Sequence, residues 1–391
     1  MVIMVEDYHK KKDYSKFRPN GYPVRHRRKV PFEPMLSLEI DYRKMVNRMR
    51  ELDRILDGFV LGSTDYMELV TEAFSDNIHW TTKIEGNKMS LDDVERLTSR
   101  FTNGEYIESN NGPTQEILNH LYSFFIKEEF RLPWDVEQLK RTHHMLMNNV
   151  RKDVTPGEIR KDDVSVVGKD GTEFFITCPP NSIRIELESL MDWLNTSPYD
   201  EIITATIFFH EFESIHPFTD GNGRTGRTLF QILLQELGLK NCKLCKFEKE
   251  ILADSATYYD LMAYTDSTGI YSQLIMYVTE SLLTAYEKAV DAFRAKDRLK
   301  DMDENSRKIV WKAKTTKSFT FNDALHWIPG MSIQSLRICL DRLVDIDVLE
   351  KIGRTRGLRY AFKDPLRELR YNLGTREKGS LTIDRPQTSG P

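Results

Sequence analysis

The sequence predicts a mainly α-helical protein with one β-hairpin and a small C-terminal module of three helices and two strands. Three observations carry this expectation. Apolar residues recur at three- and four-residue spacing through most of the chain between residues 38 and 295. One segment, 159–176, is instead rich in β-branched and aromatic residues (Val164, Val166, Val167, Phe174, Phe175, Ile176), and Gly168-Lys-Asp-Gly171 divides it as a hairpin turn does. Beyond residue 305 the pattern shortens to helix, helix, a turn at Pro329-Gly330, helix, and two strands around Gly353-Arg-Thr-Arg-Gly357.

The elements follow in order. Residues 1 to about 35 are basic and end in Arg27-Arg28-Lys29-Val30-Pro31-Phe32-Glu33-Pro34; each Pro disfavours helix at the residue before it, so this reads as an extended arm. Ile40, Met45, Met49, Leu52, Ile55 and Leu56 mark a helix over 38–57. A second helix runs over 66–84 and is stopped by Gly86; Ser90 with Asp93 then forms a capping pair for the next. Helical patterns cover 114–129 and 135–149, and after the hairpin 183–194, 201–214, 224–237, 254–264 and 271–295. Residues 296–305 read as a polar linker. The last module places helices over 305–314, 322–327 and 333–345 and strands over 348–352 and 358–362, and the tail from 376 is expected to be disordered. The domain boundaries expected are 1–60 for the arm and first helix, 61–295 for the helical core and 305–370 for the C-terminal module.

A chain of 391 residues is too long for one ordinary domain, and 40% hydrophobic with 30% charged residues excludes a disordered, collagen-like or disulfide-stapled class. The four cysteines form no disulfide framework, and Cys242-Lys-Leu-Cys245 lacks a second Cys/His pair, so these read as incidental thiols in a reducing compartment. The N-terminus lacks the continuous apolar core of a signal peptide, and no apolar run approaches a membrane span; a soluble, cytoplasmic protein with no membrane partner is expected. The net charge of −4 argues against a nucleic-acid partner for the chain as a whole, but it conceals an asymmetry. Residues 307–370 hold fourteen Lys and Arg against seven Asp and Glu, about +7 locally.

The chemistry concentrates in His216-Pro-Phe-Thr-Asp220-Gly-Asn-Gly-Arg224-Thr-Gly-Arg227, a loop between two helical patterns that opens the second helix. Closely spaced glycines (Gly221, Gly223, Gly226) let backbone N–H groups converge on an anion, where the helix dipole adds positive potential. Arg224 and Arg227, three apart, share a helical face suited to a polyphosphate. Asp220 is a candidate magnesium ligand and His216 a candidate general base. No Lys-Ser/Thr pair follows the glycines, so this is not a Walker A loop, and no dinucleotide fingerprint is present.

Residues 216–227 match the full signature H-P-F-x-[D/E]-G-N-G-R-x-x-R, and in this the chain resembles the Fic family. The resemblance implies an all-helical catalytic core that transfers AMP from ATP to a hydroxyl side chain of a target protein. It further implies that His216 deprotonates the hydroxyl, that Asp220 binds Mg²⁺, that Asn222 and the backbone of Gly221, Gly223, Thr225 and Gly226 hold phosphate, and that Arg224 and Arg227 take the β- and γ-phosphates; Phe218 anchors the loop. The hairpin, about 157–178, resembles the family's flap over the active site, with Val164, Val166 and Val167 as residues that dock an extended target segment. Thr81-Thr-Lys-Ile-Glu85-Gly86, at the end of the helix over 66–86, resembles the family's inhibitory motif, which implies that Glu85 pairs with Arg227 and displaces the γ-phosphate. An adenine contact is expected at Tyr259 in the helix after the motif; a buried core tyrosine is the alternative reading. Self-modification and a homodimer are further partners the resemblance implies.

The C-terminal module looks like a winged helix-turn-helix, with Ser332, Gln334, Ser335 and Arg337 at the start of its third helix and Lys351, Arg354, Arg356 and Arg359 in the wing. DNA and a docking protein are both open as its partner. The alternatives for the whole are removal of AMP or transfer of another phosphate-containing group by the same site, or a DNA-binding regulator that uses the core as a ligand sensor. An intact His216 favours the enzyme.

Overall fold

The computed structural model describes residues 12–27, 30–38, 40–109, 111–124, 130–168, 171–354 and 357–364. Arg28, Lys29, the end of the helix expected over 114–129, the turn residues Lys169 and Asp170, Arg356 and the tail from 376 lie outside the described residues.

Strand β1 (Val24–Arg25) is followed by helices α1 (Ile40–Gly58), α2 (Ser63–Lys83), α3 (Leu91–Thr102), α4 (Gly112–Ser123) and α5 (Val136–Met147). The hairpin strands are β2 (Ser165–Val167) and β3 (Glu173–Ile176), and helices resume with α6 (Pro180–Thr196), α7 (Glu201–Ile215), α8 (Asn222–Leu237), α9 (Phe247–Leu252), α10 (Ser255–Thr268) and α11 (Ser272–Lys296). The chain continues through α12 (Glu304–Lys314), α13 (Phe321–Trp327), α14 (Ile333–Asp345), β4 (Leu349–Ile352) and β5 (Arg359–Phe362).

Among the described residues two compact units form, one drawn from 1–57, 73–98 and 108–290, the other from 58–72, 99–107 and 291 onward. In this division residues 58–72 at the start of α2 and 99–107 at the end of α3 group with the C-terminal residues. Residues 296–305, expected as a polar linker, are instead bonded to Val60 within the second unit. Asp297 accepts from the Val60 N–H (3.0 Å), the Arg298 N–H donates to the Val60 carbonyl (2.7 Å), and Met302 is buried.

In the first unit α7 is buried on nearly every side, as its run Ile202-Ile-Thr-Ala-Thr-Ile-Phe-Phe requires, since a helix apolar all round has to lie inside. Helix α8 follows it into the core with Leu229, Leu233 and Leu234 fully buried. The hairpin strands are shorter than the sequence suggested, and they gain a partner that periodicity did not reveal. β3 is central: β2 lies antiparallel on one side, while β1, from the arm, lies parallel on the other, Val24 opposite Phe175. Helix α9, six residues long, was likewise not foreseen.

The second unit closes around Val60, Ile309, Phe319, Leu336, Leu340 and Tyr360. Its helices are capped by Asp303, by a Thr320–Asp323 capping box and by Ser332, and β4 pairs antiparallel with β5, Leu349 opposite Phe362. Among the described residues no helix is long and apolar enough to cross a membrane.

Candidate active site

His216 caps α7 in the left-handed region (φ 53°), and its N–H donates to the Phe212 carbonyl. That turn frees the carbonyls of the helix end, and a buried arginine collects them. Arg160 donates to the carbonyls of His216 (2.7 Å), Ile215 (3.3 Å) and Asp162 (2.8 Å), to Thr177 Oγ1 (2.9 Å) and to the Cys178 carbonyl. A guanidinium at a helix C-terminus is favoured by the dipole, and here it also joins both ends of the hairpin segment to the catalytic turn.

The loop after His216 is fixed from inside. Phe218 is fully buried and stacks on the His143 ring (centroids 3.7 Å, 8°). Asn222 closes the loop on itself: its Oδ1 accepts from the Phe218 N–H (2.9 Å) and its Nδ2 donates to the Phe218 carbonyl (2.7 Å). His143 Nδ1 accepts from the Gly157 N–H (2.8 Å), so Nε2 carries the proton and donates to the Asp220 carbonyl (2.8 Å). Burial pushes His143 down to about 4, consistent with that neutral tautomer. Gly221 has φ +82°, and a Cβ there would meet Met147 Sδ at 2.6 Å, so both conformation and space call for glycine.

His216 Nδ1 lies 3.2 Å from the Glu213 carbonyl, which can only accept, so Nδ1 holds the proton and Nε2 the lone pair. Burial pushes the imidazole down to about 4. The ring is therefore neutral at pH 7, with Nε2 available as a base.

Arg227 is a buried cation at the polar end of the site. Its Nε donates to Thr81 Oγ1 (2.6 Å), and its Nη2 to the Thr81 carbonyl (3.0 Å) and to Glu85 Oε1 (2.7 Å). Burial works against its charge, but Glu85 and Glu248 outweigh that and hold the guanidinium above its usual range. Glu248 Oε2 stands 3.8 Å from Arg227 Nε. The glycines make this possible: a Cβ on Gly223 would lie 2.2 Å from Glu85 Oε1, and one on Gly226 would lie 2.1 Å from Glu213 Oε1. Two carboxylates thus occupy the clearances that the glycines leave in the first turns of α8, where the helix N-terminus attracts anions. Burial raises Glu213 to about 8 and Glu248 to about 7, each opposed by Arg227 and assisted by Glu85.

A cavity of about 830 Å³ opens above this cluster. His216, Gly223, Arg227, Glu85 and Glu213 line its polar end, and Tyr259, Val166, Val167 and Phe174 are among its apolar walls. The structure thus brings together His216, Gly223, Arg227, Glu85, Tyr259, Val166 and Val167. Tyr259 is half exposed in the wall while Tyr258 is buried.

Other expected residues sit elsewhere. Arg224 is buried between Glu116 and Asp220 Oδ1 (2.7 Å to the latter) and does not line the cavity, because its position on α8 turns it toward α4. Asn222 spends its amide on Phe218, and Thr225 is fully buried in α8. Gly226 faces Glu213 rather than open space. Val164 precedes β2, its carbonyl taken by the Thr177 hydroxyl. Asp220 accepts from Arg224 and, through Oδ2, from Arg151 (2.9 Å). Arg151 is half exposed and also bound to Asp153, so Oδ2 can exchange it for a cation and leave its guanidinium paired. Cys242 and Cys245 are buried, and their thiols donate to the Gln231 and Asn241 carbonyls.

Residues 133–234 match the Fic/DOC family model. A protein adenylyltransferase, fic-1, of Caenorhabditis briggsae is 28% identical over 204 residues, covering 50% of this chain and 38% of that protein. A probable protein adenylyltransferase of Aquifex aeolicus is 36% identical over 99 residues, covering 25% of this chain and 30% of that one. The chain thus spans well under half the length of these relatives. In fold, a Fic family protein from Desulfovibrio desulfuricans G20 superposes with a TM-score of 0.57 at 20% identity, over 85% of this chain and 98% of that chain.

Proposed function

We propose, from the match of residues 133–234 to the Fic/DOC family model, that this protein transfers AMP from ATP to a hydroxyl side chain of a target protein, and that Glu85 holds the site shut. His216 Nε2 takes the hydroxyl proton while the oxygen attacks the α-phosphorus; the bond to the β-phosphate oxygen breaks and pyrophosphate leaves. Glycine-lined N–H groups at the start of α8 and Arg227 receive the phosphates, so that charge developing in transfer meets fixed donors rather than water. Mg²⁺ held through Asp220 would neutralise phosphate charge. Tyr259 bounds the apolar end, and the exposed residues Val166 and Val167 offer a strand edge to an extended target segment.

The observation that carries the autoinhibition is the Glu85 carboxylate, 2.7 Å from Arg227 and seated over Gly223. An anion already occupies the place where the resemblance puts phosphate. With radiolabelled ATP, Glu85→Gly is expected to label itself or an added target more than the parent does, and His216→Ala to abolish labelling. Transfer that survives His216→Ala would sink the mechanism; a Glu85→Gly protein as quiet as the parent would remove the autoinhibition.

For the C-terminal unit we propose a winged helix. Helices α12–α14 followed by the β4–β5 hairpin, with Ser332, Gln334, Ser335 and Arg337 exposed at the start of α14, support it. A gel shift absent even at low salt would exclude DNA and leave protein docking.

A further inference from the structure

The arm at residues 12–27 lies far outside the family-matched segment, yet it enters the catalytic unit in sequence order, contact by contact. Tyr14 meets Tyr277 edge-on (centroids 5.5 Å), and Phe17 meets Tyr264 (5.6 Å). Arg18 Nε pairs with Asp260 Oδ2 at 2.9 Å, and the Tyr22 hydroxyl donates to Asp260 Oδ1 at 2.8 Å. The Tyr22 ring also stands edge-on to Phe174 of the hairpin (5.2 Å, 81°). Val24 and Arg25 then pair with β3, and His26 reaches Glu186 (2.5 Å) and Ser214 (2.8 Å).

Among the described arm residues Tyr22 alone lines the cavity, together with its partners Phe174 and Asp260. β1 and Arg27 also hold the arm to the hairpin and to α10, but Tyr22 makes that bridge at the cavity wall, to the hairpin through its ring and to α10 through its hydroxyl. Asp260 follows Tyr259 directly, so the bridge lands beside the tyrosine already placed at the apolar end. The side chain is 42% exposed. A ring left that open contributes little to the core, so its two directed contacts serve the shape of the cavity rather than the stability of the fold. Burial and the Asp260 carboxylate push the phenol up to about 12, which keeps it protonated and donating across the physiological range.

We propose that Tyr22, fixed by Asp260, is a positioning residue that ties the hairpin to α10 and closes the apolar end of the cavity around the base of a bound nucleotide. The inference rests on the reading of the cavity as a nucleotide site. It adds that a segment remote from the signature motif completes that site. A purine is flat and apolar on its faces and gains from edge or face contact with an aromatic wall; a bare polyphosphate gains nothing there.

The test compares ATP with inorganic tripolyphosphate, both titrated calorimetrically into the full-length Glu85→Gly protein. Tyr22→Ala is expected to weaken ATP about tenfold while tripolyphosphate, confined to the Arg227 end, changes by less than about twofold. Tyr22→Phe keeps the ring and loses the hydroxyl; Asp260→Ala removes the acceptor. Tyr22→Phe is expected to weaken ATP about threefold and Asp260→Ala, which also releases Arg18, at least as much; the double variant goes no further than Asp260→Ala, since the bond to Tyr22 is already gone. ATP affinity unmoved by Tyr22→Ala, or tripolyphosphate weakened in parallel with ATP, would overturn the inference and leave the nucleotide reading intact. If the Glu85→Gly protein itself binds ATP no more tightly than tripolyphosphate, the nucleotide reading fails and the inference falls with it.

Discussion

Replacing Glu85 by glutamine removes one charge from the Arg227 cluster and keeps almost the whole side-chain volume. The gain expected follows from the geometry. Two unit charges at about 4 Å attract by about 4 kcal/mol at an effective dielectric of 20, which sets the gross scale of a contact whose nearest atoms are 2.7 Å apart. Most of that is offset. The Glu85 side chain is 27% exposed and loses hydration on pairing, and Arg227 keeps both Thr81 bonds and Glu248 whichever way Glu85 points. A net contribution of about 1–2 kcal/mol remains, the upper part of the range for partly exposed pairs. An incoming triphosphate has to displace that contact, so its removal raises apparent ATP affinity about 5–30-fold. Glutamine still presents an amide oxygen to the guanidinium and still overhangs Gly223, so Glu85→Gln should recover only part of what Glu85→Gly recovers. Calorimetric titration of ATP into the three proteins reads this order directly. Equal affinity in all three would show that Glu85 does not compete for the phosphate place, and the competition argument would be wrong.

Three further outcomes are expected. Gly223→Ala puts a Cβ 2.2 Å from Glu85 Oε1 and 2.9 Å from Arg227 Nη1, so it should expel the carboxylate yet abolish ATP binding, even combined with Glu85→Gly; calorimetry on the double variant checks it. Because burial favours neutral imidazole and puts His216 near pH 4, AMP transfer should stay level in its His216 dependence from about pH 8 to 5.5 and fall only toward 4; an inflection near 6.5 in the rate of Glu85→Gly would contradict the assigned environment. Arg160→Met leaves several buried carbonyls without a donor and should cost about 3 kcal/mol in urea unfolding, while an effect below about 1 kcal/mol would mean that water replaces the guanidinium.

What the sequence revealed was local. The motif at 216–227 is a short loop and the first turns of α8, and its base, its glycines and Arg227 could be named because they lie together in one continuous stretch of chain. Ser90, Ser332 and Gly86 announced helix ends for the same reason. What stayed hidden depended on partners distant in the chain. Spacing put Arg224 on one face with Arg227 as a polyphosphate ligand, and nothing near it said that Glu116, 108 residues earlier, is waiting there. Nothing near residue 160 says that its guanidinium will collect the carbonyls of 215 and 216. Nothing in the helical pattern over 135–149 singles out His143, on whose ring Phe218 stacks. The arm was legible as extended, yet the strand it adds beside β3 is a tertiary event with no two-residue signature. Asn222 is the sharpest case: the same residue type suits a phosphate ligand or a loop clip, and only the fold shows its amide committed to Phe218.

The chemistry around Arg227 now constrains how the site changes when Glu85 withdraws. Three carboxyl groups face one guanidinium, and they do not share it equally. Burial raises Glu213 to about 8 and Glu248 to about 7, so near neutral pH Glu213 is chiefly protonated and Glu248 close to half so. Glu85 supplies the closest counter-charge, and its presence raises both neighbours further. Withdrawal of Glu85 with nothing in its place therefore favours ionisation of Glu248 and Glu213, because Arg227 remains and the repulsion has gone. Arrival of a phosphate restores the negative charge beside Arg227 and returns both groups toward the protonated state. Exchange of Glu85 for a nucleotide phosphate thus keeps the cluster nearly constant in charge, whereas an empty open state does not. Gly223 is what allows this exchange, since its missing Cβ leaves the clearance in which Glu85 sits, while the clearance at Gly226 stays with Glu213.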